Sequence, residues 1–165
     1  MATDNRSTLG RIVSAGGRFA NRHGIYAGRL STAWHNRIYR WSKGKLGGHM
    51  PGHPGARILL LDHVGAKSGT RRTSPVIYVD HNGAVAVAAS KAGQPTHPAW
   101  FHNLLANPDT TIRLGDQIRP VRARVANPTE RAQLWPRFVA ATPDFEFYEQ
   151  HAGDRIIPVV ILEPR

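Results

Sequence analysis

The sequence contains no cysteine among its 165 residues, which excludes disulfide bonds, thiolate nucleophiles and cysteine-based zinc sites. It has no run approaching about 18 consecutive apolar residues, and its N-terminus has no apolar signal-peptide core. We therefore expect neither a membrane-spanning helix nor a signal peptide, which is compatible with a cytoplasmic location. No Gly-x-Gly-x-x-Gly motif follows a predicted strand, so a Rossmann site for a nicotinamide dinucleotide is disfavoured.

Acidic residues are scarce: 11 Asp and Glu stand against 22 Lys and Arg, and the formal net charge is +11. Most of the excess lies in residues 1–45, where nine Lys or Arg accompany a single acid, Asp4. This segment has a net charge of +8, and the rest of the chain carries only +3. The imbalance indicates an anionic partner, either acidic lipid or nucleic acid, with solubility alone as the alternative.

Within the basic segment, apolar residues recur at helical spacing, at Tyr26, Leu30, Trp34, Ile38 and Trp41. Arginines and lysines occupy the other faces, so the pattern predicts a basic amphipathic helix. Such a helix can lie on an anionic membrane, which we expect to be the partner of residues 1–45. The alternatives are that the aromatic stripe packs against the rest of the protein, or that it contacts nucleic acid, which we do not expect.

The hydrophobic fraction of 41% and the 13 Phe, Trp and Tyr residues indicate one globular domain. We divide the chain into a basic helical arm at 1–46, a Gly/Pro linker at 47–56 and a folded domain at 57–165. The linker contains His49 and His53, but Pro51 and Gly52 between them prevent helical i, i+4 geometry. No metal site is expected.

Short β-rich runs alternate with turn signals from residue 57 onward. Strands are predicted at 58–61, at 76–79 and 84–89 around Asn82-Gly83, at 110–114 and 118–125, and at 156–162. Pro158 implies an edge position or a bulge in the last strand. Helices are predicted at 98–106 and at 128–141, the second with Asn127 as its N-cap. About six strands with few helices favour an α+β, mainly β fold built on a small antiparallel barrel.

A basic segment with turn-forming glycines follows the first predicted strand. It runs from Gly65 to Pro75 and contains Lys67, Arg71 and Arg72 together with four hydroxyl side chains, and Lys91 follows the next hairpin. Cations and hydroxyls beside such turns can hold a phosphorylated, carboxylate-rich ligand through charge-assisted hydrogen bonds. The same residues could instead be solvated loop charges.

Six blocks of sequence together resemble the deazaflavin-dependent nitroreductase family of actinobacteria. They are residues 59–69, 72–75, 89–91, 98–104, 106–108 and 155–160, in the same order and spacing, and the resemblance spans about residues 57–164. It implies a split β-barrel that binds coenzyme F420, an 8-hydroxy-5-deazaflavin with a phosphate and an oligoglutamate tail. The reduced form, F420H2, would deliver a hydride.

The resemblance also implies roles for individual residues. The phosphate and tail contacts fall on Lys67, Ser68, Arg72 and Lys91, while Ala66 stands where an arginine is usual, so one tail contact is missing. Ring-side contacts fall on Pro75, Val76, Ile77, Ala88, Ala89, Ser90, Trp100 and Asn103. Further cofactor-binding candidates are Thr73, Ser74, Ala99, Phe101, His102 and Phe145. The acceptor pocket corresponds to Thr142, Phe145 and Tyr148, and the candidate catalytic residues are Tyr148 and Ser90.

We expect an F420H2-dependent reductase of an electron-poor acceptor, either a quinone or an α,β-unsaturated carbonyl compound. Nitro compounds would be adventitious substrates, because Thr142, Phe145 and Ile77 replace tyrosines of the best-known nitro-reducing member. A flavin-mononucleotide oxidoreductase on the same barrel is the alternative enzyme. A non-catalytic cofactor carrier and a basic nucleic-acid-binding domain are the alternatives from other classes.

Overall fold

The computed structural model describes residues 29–165. The helices are α1 (Arg29–Trp41), α2 (Ala99–Ala106), α3 (Pro128–Ala141) and α4 (Asp144–His151). The strands are β1 (His49–Met50), β2 (His53–Val64), β3 (Arg71–His81), β4 (Ala84–Ala88), β5 (Asp109–Leu114), β6 (Gln117–Val125) and β7 (Val159–Pro164). A 3-10 turn covers Lys91–Gly93.

Six antiparallel strands form a closed barrel in the order β2-β3-β4-β7-β6-β5, and pairing between β2 and β5 completes the circuit. β1 pairs with β2 outside this circuit. Closure satisfies the backbone hydrogen bonds of strands that would otherwise form sheet edges. The predicted mainly β antiparallel barrel is confirmed.

Two hydrophobic clusters lie on opposite sides of the barrel wall. The cluster inside the barrel includes Leu59, Val87, Ala89, Trp100 and Phe101. The cluster between the wall and helices α3 and α4 includes Ala88, Trp135, Phe138, Phe145 and Tyr148. Successive β4 residues therefore point to different clusters, as the alternation of side chains along a strand requires.

Several elements form where local signals predict them. Asn82 and Gly83 have φ values of 48° and 82°, the positive values that a tight hairpin turn requires. Asn127 accepts a hydrogen bond from the Glu130 amide, and the Glu130 side chain accepts one from the Asn127 amide. This reciprocal cap begins α3 at the predicted residue.

Two sequence predictions are wrong. Residues 47–56 contain β1 and the start of β2 rather than an irregular linker, because Gly52 (φ 79°) allows a tight turn and Pro54 lies where β2 pairs only with β1. Pro158 precedes β7, which lies between β4 and β6 and is not an edge strand. Helix α4 was not predicted.

Helix α1 packs on the barrel through a face other than its aromatic stripe. The Tyr39 hydroxyl donates to the Ile58 carbonyl (3.0 Å) and accepts from the Gly115 amide (3.0 Å), and the Asn36 amide donates to the Thr73 carbonyl (3.0 Å). The stripe points outward: Leu30 is 80% exposed, Trp34 64% and Trp41 79%. The alternative that the stripe packs against the domain is therefore wrong for these residues. Tyr26 lies outside the described residues.

None of the helices within residues 29–165 is long and apolar enough to cross a membrane.

Candidate functional site

The basic turn between β2 and β3 is a compact loop with its polar side chains exposed. The Gly65 amide donates to the Thr70 carbonyl (2.9 Å), and the Gly69 amide donates back to the Gly65 carbonyl (2.8 Å). Gly69 has a φ of 63°, which closes the loop without steric strain. Ala66, Lys67 and Ser68 are all exposed at its tip, so both polar side chains are available to a ligand.

A groove of about 980 Å³ lies at the end of the barrel beside this turn. Five of the predicted site residues line it: Arg72, Thr73, Ser74, Ala99 and Trp100. The remaining walls come from α1, β2, β5, β6 and the C-terminus, through residues that include Arg40, Asp62, His63, Asp109 and Arg165. Such a volume matches the range of roughly 300–1,000 Å³ that is typical of small-molecule sites.

The two strands that carry the predicted ring-side residues diverge next to this groove. Pairing of β3 with β4 stops at Tyr78 and Val87, because β4 ends at Ala88 while β3 continues to Arg71. Val76 packs against the inner cluster with Ala89, whereas Ile77 packs against the outer cluster with Ala88. The predicted ring-side set is therefore divided between two faces of the wall.

An arginine that sequence reasoning left without a role holds the segment after β4. The Arg155 guanidinium donates to the carbonyls of Ala89 (3.0 Å), Ser90 (2.7 Å) and Gln94 (2.6 Å). Within the segment, Lys91 and Ala92 have φ values of 48° and 53°, in the left-handed region that non-glycine residues rarely adopt. Arg155 thus stabilises the strained backbone conformation that presents Ser90 and Lys91.

The same guanidinium also donates to Nδ1 of His97 (3.2 Å). Burial, with the neighbouring charge of Arg155 as a second cause, lowers the pKa of His97 below its usual value. The neutral ring can therefore accept this hydrogen bond at pH 7.

Tyr148 and Phe145 lie on α4, which packs against the 3-10 turn. Both side chains are buried, and their ring centroids lie 5.7 Å apart. A Cβ added to Gly93 would approach the backbone of Tyr148 to 2.9 Å, so only glycine permits this contact between turn and helix. Tyr148 thus lies on the helix that contacts the turn directly after Ser90, the other candidate catalytic residue.

The residues of α2 divide between the groove, the core and the surface. Trp100 lines the groove and packs in the inner cluster, Phe101 is buried in that cluster, and His102 is exposed. Asn103 is buried, and its amide is hydrogen bonded to His63 and to the backbone of Ala66. His63 was not a predicted site residue, because its place in an apolar strand gave no local signal of a polar partner.

The structure brings only part of the predicted site together: of the predicted ring-side residues, Trp100 alone lines the groove. Exposed cations and hydroxyls surround the basic turn, where they can neutralise an anion such as a phosphate. Ala88 and Ala89 are 8% and 0% exposed and pack in the two hydrophobic clusters. A flat ring system can therefore lie against the Trp100 ring in the groove.

Comparisons with known proteins agree with this description. Residues 32–164 match the family model described as F420H(2)-dependent quinone reductase. An F420H2-dependent quinone reductase of Mycobacterium tuberculosis is 36% identical over 151 residues, which cover 90% of this chain and 97% of the relative. A second M. tuberculosis protein with the same activity in its description is 48% identical over 107 residues, covering 65% and 89% of the two chains.

A solved structure described as an F420-H2 dependent reductase, FDR-A, is also similar. It superposes with a TM-score of 0.59 at 41% identity and covers 64% of this chain and 93% of its own. The relation to deazaflavin-dependent reductases that the sequence predicts is confirmed by the family match and by these relatives. The chain belongs to the F420H2-dependent quinone reductase family.

Proposed function

We propose that this protein transfers a hydride from F420H2 to a quinone. The observation that carries the proposal is the position of the basic turn, with Lys67 and Ser68 exposed, beside a groove of about 980 Å³ lined by Arg72 and Trp100. Family membership supplies the identity of the cofactor and the acceptor class.

The residues present fit this cofactor by charge and by shape. Lys67, Ser68 and Arg72 provide cations and a hydroxyl for its phosphate and acidic tail, and Lys91 lies on the neighbouring segment. Ala88 and Ala89 are buried in the two hydrophobic clusters, so the space for a flat ring system lies in the groove beside Trp100. The bound deazaflavin would supply the two-electron hydride chemistry.

The protein itself would bind the cofactor, orient it and exclude water from its ring. Lys67 and Arg72 would hold the anionic part of the ligand, and Arg155 keeps the segment with Ser90 and Lys91 in place. The Trp100 indole would shield the ring from solvent. Tyr148, the one phenol among the positions of the acceptor pocket, would orient the quinone or donate a proton to it.

Replacing Lys67 or Arg72 with alanine is expected to weaken F420 binding by about 1–3 kcal/mol each, because charge-assisted hydrogen bonds to the phosphate or tail are lost. Absorbance titration with F420, run beside flavin mononucleotide, measures both dissociation constants. Lys45→Ala and Arg137→Ala remove exposed cations elsewhere and serve as controls. Tighter binding of flavin mononucleotide by the wild type would overturn the cofactor assignment. Unchanged affinity in both site variants would show that the basic turn is merely solvated.

Tyr148→Phe is expected to lower quinone turnover by about tenfold or more if the phenol donates the proton. The dissociation constant of F420 should stay within about twofold of wild type, since the aromatic packing with Phe145 is retained. Steady-state kinetics and cofactor titration on the same preparation separate the two quantities. Tyr78→Phe removes a phenol from β3 and is the matched control. Wild-type turnover in Tyr148→Phe would assign Tyr148 to packing and leave solvent as the proton source.

We further propose that α1 attaches the protein to the inner face of the cell membrane, where a lipid-soluble quinone is found. Leu30, Trp34 and Trp41 present an exposed apolar face. Exposed cations of the same region, Arg37, Arg40, Lys43 and Lys45, would meet anionic headgroups. The groove beside the basic turn is partly lined by the same helix, through residues that include Asn36 and Arg40.

A further inference from the structure

A chain of three buried or half-buried polar side chains links the basic turn to the groove. His63 is 5% exposed and Asn103 7%, and both lie at the end of the barrel beside the turn. Asn103 Nδ2 is 2.8 Å from His63 Nδ1, and His63 Nε2 is 3.0 Å from Ser74 Oγ. The reaction proposed above assigns no role to His63.

The backbone of the turn fixes the direction of these hydrogen bonds. The Ala66 amide donates to Asn103 Oδ1 (2.9 Å), so this oxygen is the acceptor and the Asn103 NH2 group faces His63. An amide nitrogen can only donate, so His63 Nδ1 must present its lone pair. The neutral ring then carries its proton on Nε2 and donates it to Ser74 Oγ.

The charged groups around His63 are consistent with a neutral ring. Burial, and then the Arg72 guanidinium, lower its pKa from the usual 6.5, while the Asp62 carboxylate acts in the opposite direction. Arg71 on β3, Arg40 on α1, Asp109 on β5 and Arg165 line the same groove. At pH 7 the Nδ1 lone pair is therefore available to Asn103.

Ser74 consequently accepts a hydrogen bond from the protein interior. Its own hydroxyl hydrogen points to no acceptor among the hydrogen bonds of the described residues, and Ser74 lines the groove together with Arg72 and Trp100. A hydroxyl with its oxygen engaged on the protein side is available as a donor on the ligand side.

We propose that Asn103 and His63 are positioning residues that make Ser74 a hydrogen-bond donor to an oxygen acceptor of the cofactor in the groove. Asn103 determines the tautomer of His63, and His63 in turn donates to Ser74 Oγ, so that Ser74 can donate its own hydrogen to the ligand. The Asn103 side-chain oxygen also holds the Ala66 amide in the turn that carries Lys67. The inference rests on the proposed function, because it takes the groove to be the cofactor site.

Asn103→Asp reverses the hydrogen-bond chain with little change in shape. One carboxylate oxygen can still accept from Ala66, and the other accepts from His63 Nδ1–H, so a neutral ring leaves Nε2 unprotonated. Ser74 then donates to His63 and not to the ligand. Asn107→Asp adds the same charge at the exposed end of the same helix and is the matched control.

The first measurement needs no ligand. Nitrogen-15 chemical shifts of the His63 ring are expected to show the Nε2–H tautomer in the wild type and the Nδ1–H tautomer in Asn103→Asp, at a pH where the shifts report a neutral ring. Asn107→Asp should keep the wild-type tautomer. An Nδ1–H ring in the wild type would overturn the inference, whatever the variants do.

The second measurement is a double-mutant cycle on F420 affinity. At the pH where the nitrogen-15 shifts report a neutral ring in both proteins, Ser74→Ala is expected to weaken binding about tenfold in the wild type. In the Asn103→Asp background, where the donor is already lost, the effect should be less than about twofold. Equal effects of Ser74→Ala in both backgrounds would overturn the inference and leave the proposed function intact. Failure of the wild type to bind F420 would instead overturn the proposed function, while the tautomer measurement would remain valid.

Discussion

Arg155→Leu is expected to destabilise the site more than any other single substitution considered. It leaves the carbonyls of Ala89 and Gln94 without their donor, while the Ser90 carbonyl keeps its hydrogen bond from the Gly93 amide (3.1 Å). Each unsatisfied carbonyl costs about 1–3 kcal/mol, so the loss of two donors should lower the free energy of unfolding by about 2 kcal/mol or more. The strained conformation of Lys91 and Ala92 would relax at the same time, because strain persists only where surrounding contacts enforce it.

Denaturant unfolding and F420 titration together measure this effect. We expect Arg155→Leu to lower both stability and cofactor affinity, since Lys91 would leave its position. Arg155→Lys keeps the charge but cannot reach all three carbonyls in one plane, so an intermediate loss is expected. Arg137→Leu, on an exposed helical position, should leave both quantities unchanged. Wild-type stability and affinity in Arg155→Leu would show that the segment holds its conformation without the guanidinium.

Removing the exposed tryptophans of α1 is expected to abolish attachment to anionic vesicles. Trp34→Ser with Trp41→Ser deletes two rings, and burial of such a ring in the interface contributes about 1.5–3 kcal/mol. Basic residues near an acidic leaflet contribute about 1 kcal/mol each, so high salt should also weaken the attachment of the wild type. The double variant should retain its fold, because Tyr39 and Asn36, which attach α1 to the barrel, are unchanged.

Co-sedimentation with vesicles of phosphatidylglycerol or of phosphatidylcholine tests this prediction at low and high salt. The wild type should sediment with the anionic vesicles only. Leu105→Ser with Ile118→Ser removes exposed apolar side chains elsewhere and should sediment like the wild type. A wild type that stays in the supernatant, or a tryptophan variant that sediments equally, would contradict membrane attachment through α1.

Features that depend on neighbouring residues could be predicted from the sequence. The hairpin at Asn82-Gly83 and the start of α3 at Asn127 are set by turn and capping chemistry within four residues, and both occur as predicted. The basic turn at 65–70 is also local, since its hydrogen bonds close within five residues. Six blocks in register were sufficient to identify the family, because they preserve the order of these local elements.

Features that depend on distant contacts could not be predicted. One local feature was also missed: β1 and the start of β2 pair across Gly52, and this pairing outweighs the weak local preference of a Gly/Pro-rich segment. Helix α1 was predicted as amphipathic, but which of its faces meets the barrel is decided by Tyr39, whose partners at Ile58 and Gly115 lie 19 and 76 residues away. The helical pattern of the sequence alone therefore could not predict that the aromatic stripe would be exposed.

By itself, the sequence determined the β-rich barrel class, the basic turn, the amphipathic character of α1 and the relation to deazaflavin-dependent reductases. Only the tertiary structure decided that the ring-side candidates lie on two faces of diverging strands, that Arg155 holds the segment at Ser90, and that Asn103 bonds to His63. These contacts join residues 40 to 66 positions apart, and they form only when barrel closure brings the strand ends together. Local propensity determines which secondary-structure elements form, whereas long-range hydrogen bonds determine which side chains of those elements are in contact.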